Sequence, residues 1–172
     1  MIRTGIGFDI HRFARGRPLV LGGVRLAFDR GLAGHSDADV VCHAVADALL
    51  GAMADGDIGV HFPDTDPAWK NADSLDLLRR VAVRVRALGA RIGNVDCTVL
   101  AEAPRLAPHI PLMRSNLARA MHVAASRVSV KATTLEKLGA LGRGEGIAVH
   151  AVATVETRRR PGAAARLRKA GG

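Results

Sequence analysis

Asp9 and His11 stand two residues apart near the start of the chain, and His43 closes the string H-S-D-A-D-V-V-C-H. Two imidazoles and a carboxylate form the donor set of a catalytic zinc site, in which three protein ligands leave a fourth position for water or substrate. Iron, cobalt and manganese accept the same donors. A D-x-H pair alone is more often a polar strand end, and a single helical histidine is more often a satisfied one, so the weight rests on the longer string around His43. A second group, K-A-T-T-L-E-K at 131–137, offers backbone amides, the hydroxyls of Thr133 and Thr134 and the Glu136 carboxylate. Such a set suits a phosphate and Mg²⁺, which binds through one or two carboxylates while keeping waters and substrate phosphates. The glycine cluster at 139–146 lacks the Lys and Ser or Thr of a Walker loop and reads as a tight turn with Arg143 at the surface. No nucleophile triad is evident.

These groups need elements to hold them. Alternation over residues 1–10 puts Ile2, Ile6, Phe8 and Ile10 on one face of a half-buried strand and Gly5, Gly7, Asp9 and His11 on the other, so the ligands point away from the apolar stripe. Ser36, followed by Asp39, resembles a capping box opening a helix whose stripe is Val40, Val41, Ala44, Val45, Ala48 and Leu49. Asp39 and Asp47 lie four residues to either side of His43, placed for a carboxylate to hold its second ring nitrogen. A hairpin over 19–28 turns at Gly22 and Gly23. The segments D-G-D-I-G (55–59) and F-P-D-T-D-P (62–67) form a carboxylate-rich loop suited to a lid. A helix beginning at Asp73 or Ser74 ends at Gly89, with Leu75, Leu78, Val81, Ala82 and Val85 inward. Strands follow at 92–101, 128–132 and 147–155, and a helix at 110–121. The expected fold is a single α+β domain: a mixed sheet of about four main strands plus a small hairpin, with helices packed on one face.

The chain has 172 residues, 48% hydrophobic, enough for one compact core. Its apolar runs fall short of the roughly 20 residues of a membrane helix, and the N-terminus has no signal-like core, so the expectation is a cytosolic protein without membrane contact. Cys42 and Cys97 fall in apolar segments and read as buried free thiols. The net charge of +9 is concentrated at the C-terminus, where six of the positive charges lie in 158–172, leaving +3 for residues 1–157. That body is mildly basic, as suits a small phosphorylated substrate, and the tail reads as a flexible extension. With 3% aromatic residues, one tryptophan (Trp69) and no tyrosine, base-stacking surface is scarce and no nucleic-acid partner is expected.

The ordered blocks G-F-D-I-H (7–11), G-L-A-G-H-S-D-A-D-V-V-C-H (31–43), D-A-L-L-G-A (47–52), G-D-I-G (56–59), F-P-D-T-D-P (62–67), A-P-R-L (103–106), P-H-I-P (108–111), K-A-T-T (131–134) and E-K-L-G-A-L-G-R-G-E-G-I-A (136–148) closely resemble the 2-C-methyl-D-erythritol 2,4-cyclodiphosphate synthase family. The resemblance implies conversion of 4-diphosphocytidyl-2-C-methyl-D-erythritol 2-phosphate to the cyclic diphosphate and CMP, a phosphorus–oxygen lyase step of non-mevalonate isoprenoid biosynthesis. It implies a zinc-type ion on Asp9, His11 and His43, and Mg²⁺ or Mn²⁺ placed by Glu136 on the substrate diphosphate. His35 and Thr134 match transition-state-stabilising positions. Substrate contacts carry over to Asp9, Ile10, His11, Ser36, Asp57, Ile58, Gly59 and the mobile loop of Phe62, Pro63, Asp64, Thr65 and Asp66. They also carry over to Thr133, Leu135, Glu136, Ala140 and Arg143. Ala101, Glu102, Ala103, Pro104, Arg105, Leu106 and Ala107 match the cytidine pocket. Family members are homotrimers with active sites between neighbouring subunits, so the cytidine side comes from the adjoining chain. The sequence departs from the family at Leu135, where threonine is common, and at Ala140, often aromatic and lining a central trimer cavity. Two rival readings, a metal-dependent phosphohydrolase and a nucleic-acid module using the basic tail, predict phosphate release and salt-dependent binding respectively.

Overall fold

The computed structural model describes residues 1–157; the boundary expected at 157 and the basic tail 158–172 fall at and beyond the edge of the described residues. In chain order the elements are β1 (Ile2–Ala14), β2 (Leu19–Leu21), β3 (Val24–Leu26), β4 (Gly31–Leu32), α1 (Val40–Met53), α2 (Ile58–His61), α3 (Ser74–Ala87), β5 (Ala90–Leu100), α4 (Ile110–Met121), β6 (Val128–Thr133), α5 (Gly139–Gly142) and β7 (Gly146–Thr157). The sheet runs β4-β1-β7-β5-β6, with β2 and β3 forming the separate hairpin. β7 is antiparallel to both β1 and β5, and β6 is parallel to β5. Hence β1, β5 and β6 run the same way, and Asp9–His11, the segment after Leu100 and the segment after Thr133 all emerge at one end of the sheet. The α+β class, the hairpin and the single helical layer agree with the sequence reading, and the two-residue β4 adds a fifth strand.

What decides the packing is α1 on β1. Gly5 and Gly7 are buried, and a Cβ built on them would stand 2.0 Å from the carbonyl oxygens of Ala48 and Ala44 respectively. Any side chain there would hold the helix off the sheet. The small residues Ala44, Ala48 and Ala52 on α1 complete the close approach, and all are buried. The alternation of β1 is as expected, yet the face covered within the subunit is the glycine and ligand face. Ile2 is 71% exposed, Ile6 70% and Ile10 51%. With His150 and Val152 paired alongside Phe8 and Ile6, these side chains form an apolar surface on the uncovered side of β1 and β7.

Helix starts differ from the expectation at one point. The N-cap of α1 is Asp39, whose carboxylate accepts from the N–H groups of Val41 and Cys42, while Ser36 accepts from Ala38 N–H one turn earlier. Asp39 is fully buried and also accepts from Gly22 N–H at 2.9 Å and Gly23 N–H at 2.6 Å, fastening the hairpin turn to the helix. α3 begins after the Asp73 cap and is followed by Gly89 at φ +81°, as expected, with Leu77 rather than Leu75 buried. Two segments read as loop or turn contain four-residue helices, α2 and α5, too short to show a periodic signature.

Gly7→Ala is expected to cost about 3 kcal/mol, since the added methyl meets backbone that cannot rotate away. A urea-denaturation series checks this, and because α1 carries His43 the variant should also retain less metal.

Candidate active site

The Oδ2 atom of Asp9 lies 3.0 Å from His11 Nε2 and 2.9 Å from His43 Nδ1, and the two nitrogens are 3.3 Å apart. Three donors bound tetrahedrally at about 2.0–2.1 Å stand about 3.3 Å from one another, so the triangle and its chemistry fit a divalent ion. β1 supplies two corners from one strand face, and the first turn of α1, drawn down by Gly5 and Gly7, supplies the third. The other oxygen of Asp9 accepts from Ile10 N–H at 2.8 Å, fixing the carboxylate plane. Burial opposes the charge on Asp9, but hydrogen bonds from His11 and His43 outweigh it and hold the carboxyl well below its ordinary range. Burial likewise opposes charging of His43, and the Asp9 carboxylate overcomes it, raising the imidazole above its ordinary value.

The second nitrogen of His43 does not meet Asp39 or Asp47, the partners expected from helical spacing. Its Nε2 lies 2.9 Å from Ser74 Oγ and 3.2 Å from Ser36 Oγ. Asp39 is taken up by the hairpin and the helix cap. Asp47 accepts from Ile58 N–H at 2.8 Å and thereby ties α2 to α1. His35 sits on a loop held from both sides. Arg17 donates to the carbonyls of Gly34 and Ser36, and Asn71 N–H donates to the carbonyl of His35 itself. Nothing in the local sequence marks Arg17 or Ser74 as part of this site, because each reaches it from a distant segment, whereas Asp37 stands within the His43 string itself.

A cavity of about 450 Å³ opens beside the triangle, lined by His11, Gly34, His35, Ser36, His43, Ile58, Gly59, Phe62, Pro63 and Asp64, all within motifs singled out above, together with Trp69 and Leu77. Phe62 and Trp69 meet edge to face at 5.0 Å and make one wall. Ser36 borders the cavity, but its hydroxyl turns inward to His43 and Ala38. Asp57 and Asp66 cap α2 and the short turn at Pro67–Trp69 through bonds from Val60 and Ala68 N–H, and Thr65 is exposed between them. Ile10 points to the uncovered apolar face.

Thr133 and Thr134 line a different cleft, about 290 Å³, with Ala101, Glu102, Pro104, Arg105, Leu106, Ala107 and Ala132; Ala103 lies in the same segment. Leu106 and Ala101 belong to the core as well. The Glu102 carboxylate accepts from Leu135 N–H at 2.8 Å and Lys137 N–H at 3.2 Å. It thus braces Glu136 and Lys137, both left-handed at φ +50° and +63°, a conformation side chains disfavour. Thr134 Oγ1 donates to Glu136. Asp9 is aligned through Val149 and Val99 with Ala132, three strand spacings away, about 14 Å. The subunit therefore gathers most of the expected residues into two separate clusters at one sheet end. Ala140 lies in α5, and Arg143 pairs with Glu145 at 2.7 Å.

The two pKa shifts predict a pH signature for metal-stripped protein. Asp9, held low, contributes stability that is lost only as acid carries the pH down through its folded pKa. His43, held above its ordinary 6.5, contributes stability fully present below that value and lost as the pH rises through its higher folded pKa. Unfolding midpoints of the stripped protein should therefore fall from mildly acid to mildly alkaline pH, with a flatter profile in Asp9→Asn.

Residues 2–156 match the model of the YgbB family. A 2-C-methyl-D-erythritol 2,4-cyclodiphosphate synthase of Geotalea daltonii is 57% identical over 157 residues, covering 91% of this chain and 92% of the relative. One from Salinibacter ruber is 59% identical over 156 residues, covering 91% and 99%. A solved 2C-methyl-D-erythritol-2,4-cyclodiphosphate synthase in a CDP-bound form superposes with a TM-score of 0.82 at 36% identity, covering 90% of this chain and all of that one. With matches spanning nearly all of the described residues, the chain belongs to the YgbB family, that of the 2-C-methyl-D-erythritol 2,4-cyclodiphosphate synthases.

Proposed function

We propose that this protein cyclises 4-diphosphocytidyl-2-C-methyl-D-erythritol 2-phosphate to 2-C-methyl-D-erythritol 2,4-cyclodiphosphate and CMP, working in the cytosol as a homotrimer. The observation that carries the reading is the Asp9, His11 and His43 triangle facing a cavity large enough for a phosphorylated sugar alcohol. An oxygen of the substrate's 2-phosphate bonds to the β-phosphorus, the β-phosphorus bond to the oxygen bridging to the α-phosphorus breaks, and CMP departs with that oxygen. No water is consumed and no protein nucleophile is needed, so the protein's task is positioning and charge stabilisation.

Asp9, His11 and His43 would hold a divalent ion, zinc by their donor chemistry; when bound, it supplies Lewis-acid polarisation of a phosphate oxygen. His35, on its clamped loop, donates to a phosphoryl oxygen as charge grows there. Ile58 and Gly59 place backbone beside the substrate, and Phe62, Pro63 and Asp64 with Trp69 enclose its methylerythritol part. From the other half-site, the Thr134 hydroxyl and Glu136 meet the diphosphate, where Glu136 is the residue to hold Mg²⁺ or Mn²⁺. The small residues of 101–107 leave backbone free to read a cytosine edge. Two features support the trimer: the uncovered apolar face on β1 and β7, and half-sites about 14 Å apart in one subunit that would meet across an interface. The two buried free cysteines suit a reducing compartment. No helix among the described residues is long and apolar enough to cross a membrane.

Incubation with the substrate and Mg²⁺, followed by phosphorus NMR, should give CMP and the cyclic diphosphate, with turnover abolished by a zinc chelator and restored by zinc. Inorganic phosphate as the product would favour a phosphohydrolase instead. Sharing of sites between subunits has its own readout. His43→Ala and Glu136→Gln should each be nearly inactive, yet subunits unfolded together and reassembled in equal amounts should recover about a quarter of wild-type activity, the fraction of interfaces with both intact halves. No recovery from properly assembled mixed trimers would place each site within one chain.

A further inference from the structure

We propose that Ser74 and Asp37 form a hydrogen-bonded chain that selects the Nε2–H tautomer of His43, leaving Nδ1 free for metal, and that they thereby set the affinity of the site. The inference deepens the metal reading above and adds two positioning residues from outside the ligand set. Its basis is a count of hydrogens around buried Ser74, which is 1% exposed.

Ser74 Oγ carries one hydrogen, and its close contact with the acceptor-only Oδ1 of Asp37 uses it. The other Asp37 oxygen accepts from Ser74 N–H at 3.2 Å, so the carboxylate grips this residue by both backbone and side chain. With its hydrogen committed, Ser74 Oγ presents only lone pairs to His43 Nε2 at 2.9 Å. An unprotonated Nε2 would set lone pair against lone pair there, whereas Nε2–H makes a good hydrogen bond. The remaining neighbour complies: Ser36 Oγ accepts from Ala38 N–H, and its own hydrogen can turn to Ser74 Oγ at 3.3 Å. When an ion displaces the proton that Nδ1 otherwise donates to Asp9, Nδ1 becomes the lone-pair nitrogen, and it is the one facing Asp9 and His11. Asp37 is itself anchored, its N–H donating to Ala72 carbonyl at 3.1 Å, so the start of α3 and the loop before α1 are fixed together behind the ligand. Partners of this kind typically change metal affinity 10–100-fold.

The test measures metal binding without substrate, by competing zinc between the full-length protein and a chromophoric chelator. Ser74→Ala is expected to bind zinc 10–100-fold more weakly with its helical content unchanged, Asp37→Asn to weaken it in the same direction, and Ser74→Thr to stay near wild type. A purely structural serine would lower the unfolding midpoint and leave the zinc affinity alone; Ser74→Ala binding within twofold of wild type overturns the proposal. A second measurement needs no variant. In zinc-loaded wild-type protein labelled with ¹⁵N-histidine, His43 should show a protonated Nε2 and a coordinated Nδ1, and coordination through Nε2 would overturn it equally. Wild-type protein that takes up no divalent ion would instead sink the metal reading, and zinc binding as expected without cyclisation would sink only the catalytic one.

Discussion

The contact between the backbone of α1 and the backbone of β1, made at Gly5 and Gly7, is the constraint on which the rest depends. It sets the height of the helix over the sheet, and so the distance from His43 to the strand that carries Asp9 and His11. The same contact consumes one face of β1 with residues that bury little apolar area. The strand's large side chains are left on the opposite face, where none of the described residues covers them. A site that needs a histidine close to a strand and a strand that needs a partner are thus two results of one packing choice.

Carboxylates outside the ligand set serve as organisers. Asp39 joins the hairpin to α1, Asp47 joins α1 to α2, Asp37 joins the loop before α1 to α3, and Glu102 joins the two segments of the second cleft. Each accepts from backbone N–H groups of a segment distant in sequence, so each fixes main chain, which in turn fixes the side chains that face the cavities. Arg17 does the same with the opposite charge, gathering carbonyls around His35. The mildly basic body therefore presents ordered loops without relying on buried charge pairs, whose desolvation is costly.

Much of this was legible from the chain, and the illegible part has a common cause. The long elements carry their own signals: α3 has the Asp73 cap and Gly89 beyond its end, and α4 has its proline in the first turn. The ligand triangle was legible because its residues lie in ordered, recognisable strings. Alternation along β1 shows that its two faces differ but not which one a neighbour covers, since glycine reads as weak when it is in fact the packing residue. Spacing along α1 nominated Asp39 and Asp47 as partners of His43, while the true partner, Ser74, is 31 residues away and brought in by α3. Ser36 looked like the cap because the S-x-x-D pattern is local; Asp39 takes that place because its carboxylate also meets the hairpin.

The convergence of donors on Asp39 has a consequence for motion. Helix ends ordinarily fray, opening and closing their first turn at little free-energy cost. In α1 that turn is stitched through a fully buried carboxylate to Gly22 and Gly23, so it cannot open unless the hairpin leaves as well, exposing Leu19, Leu21 and the core beneath. The amides of the segment bearing His43 are consequently expected to exchange among the slowest in the molecule. Its ligand geometry persists until cooperative unfolding removes it along with everything else.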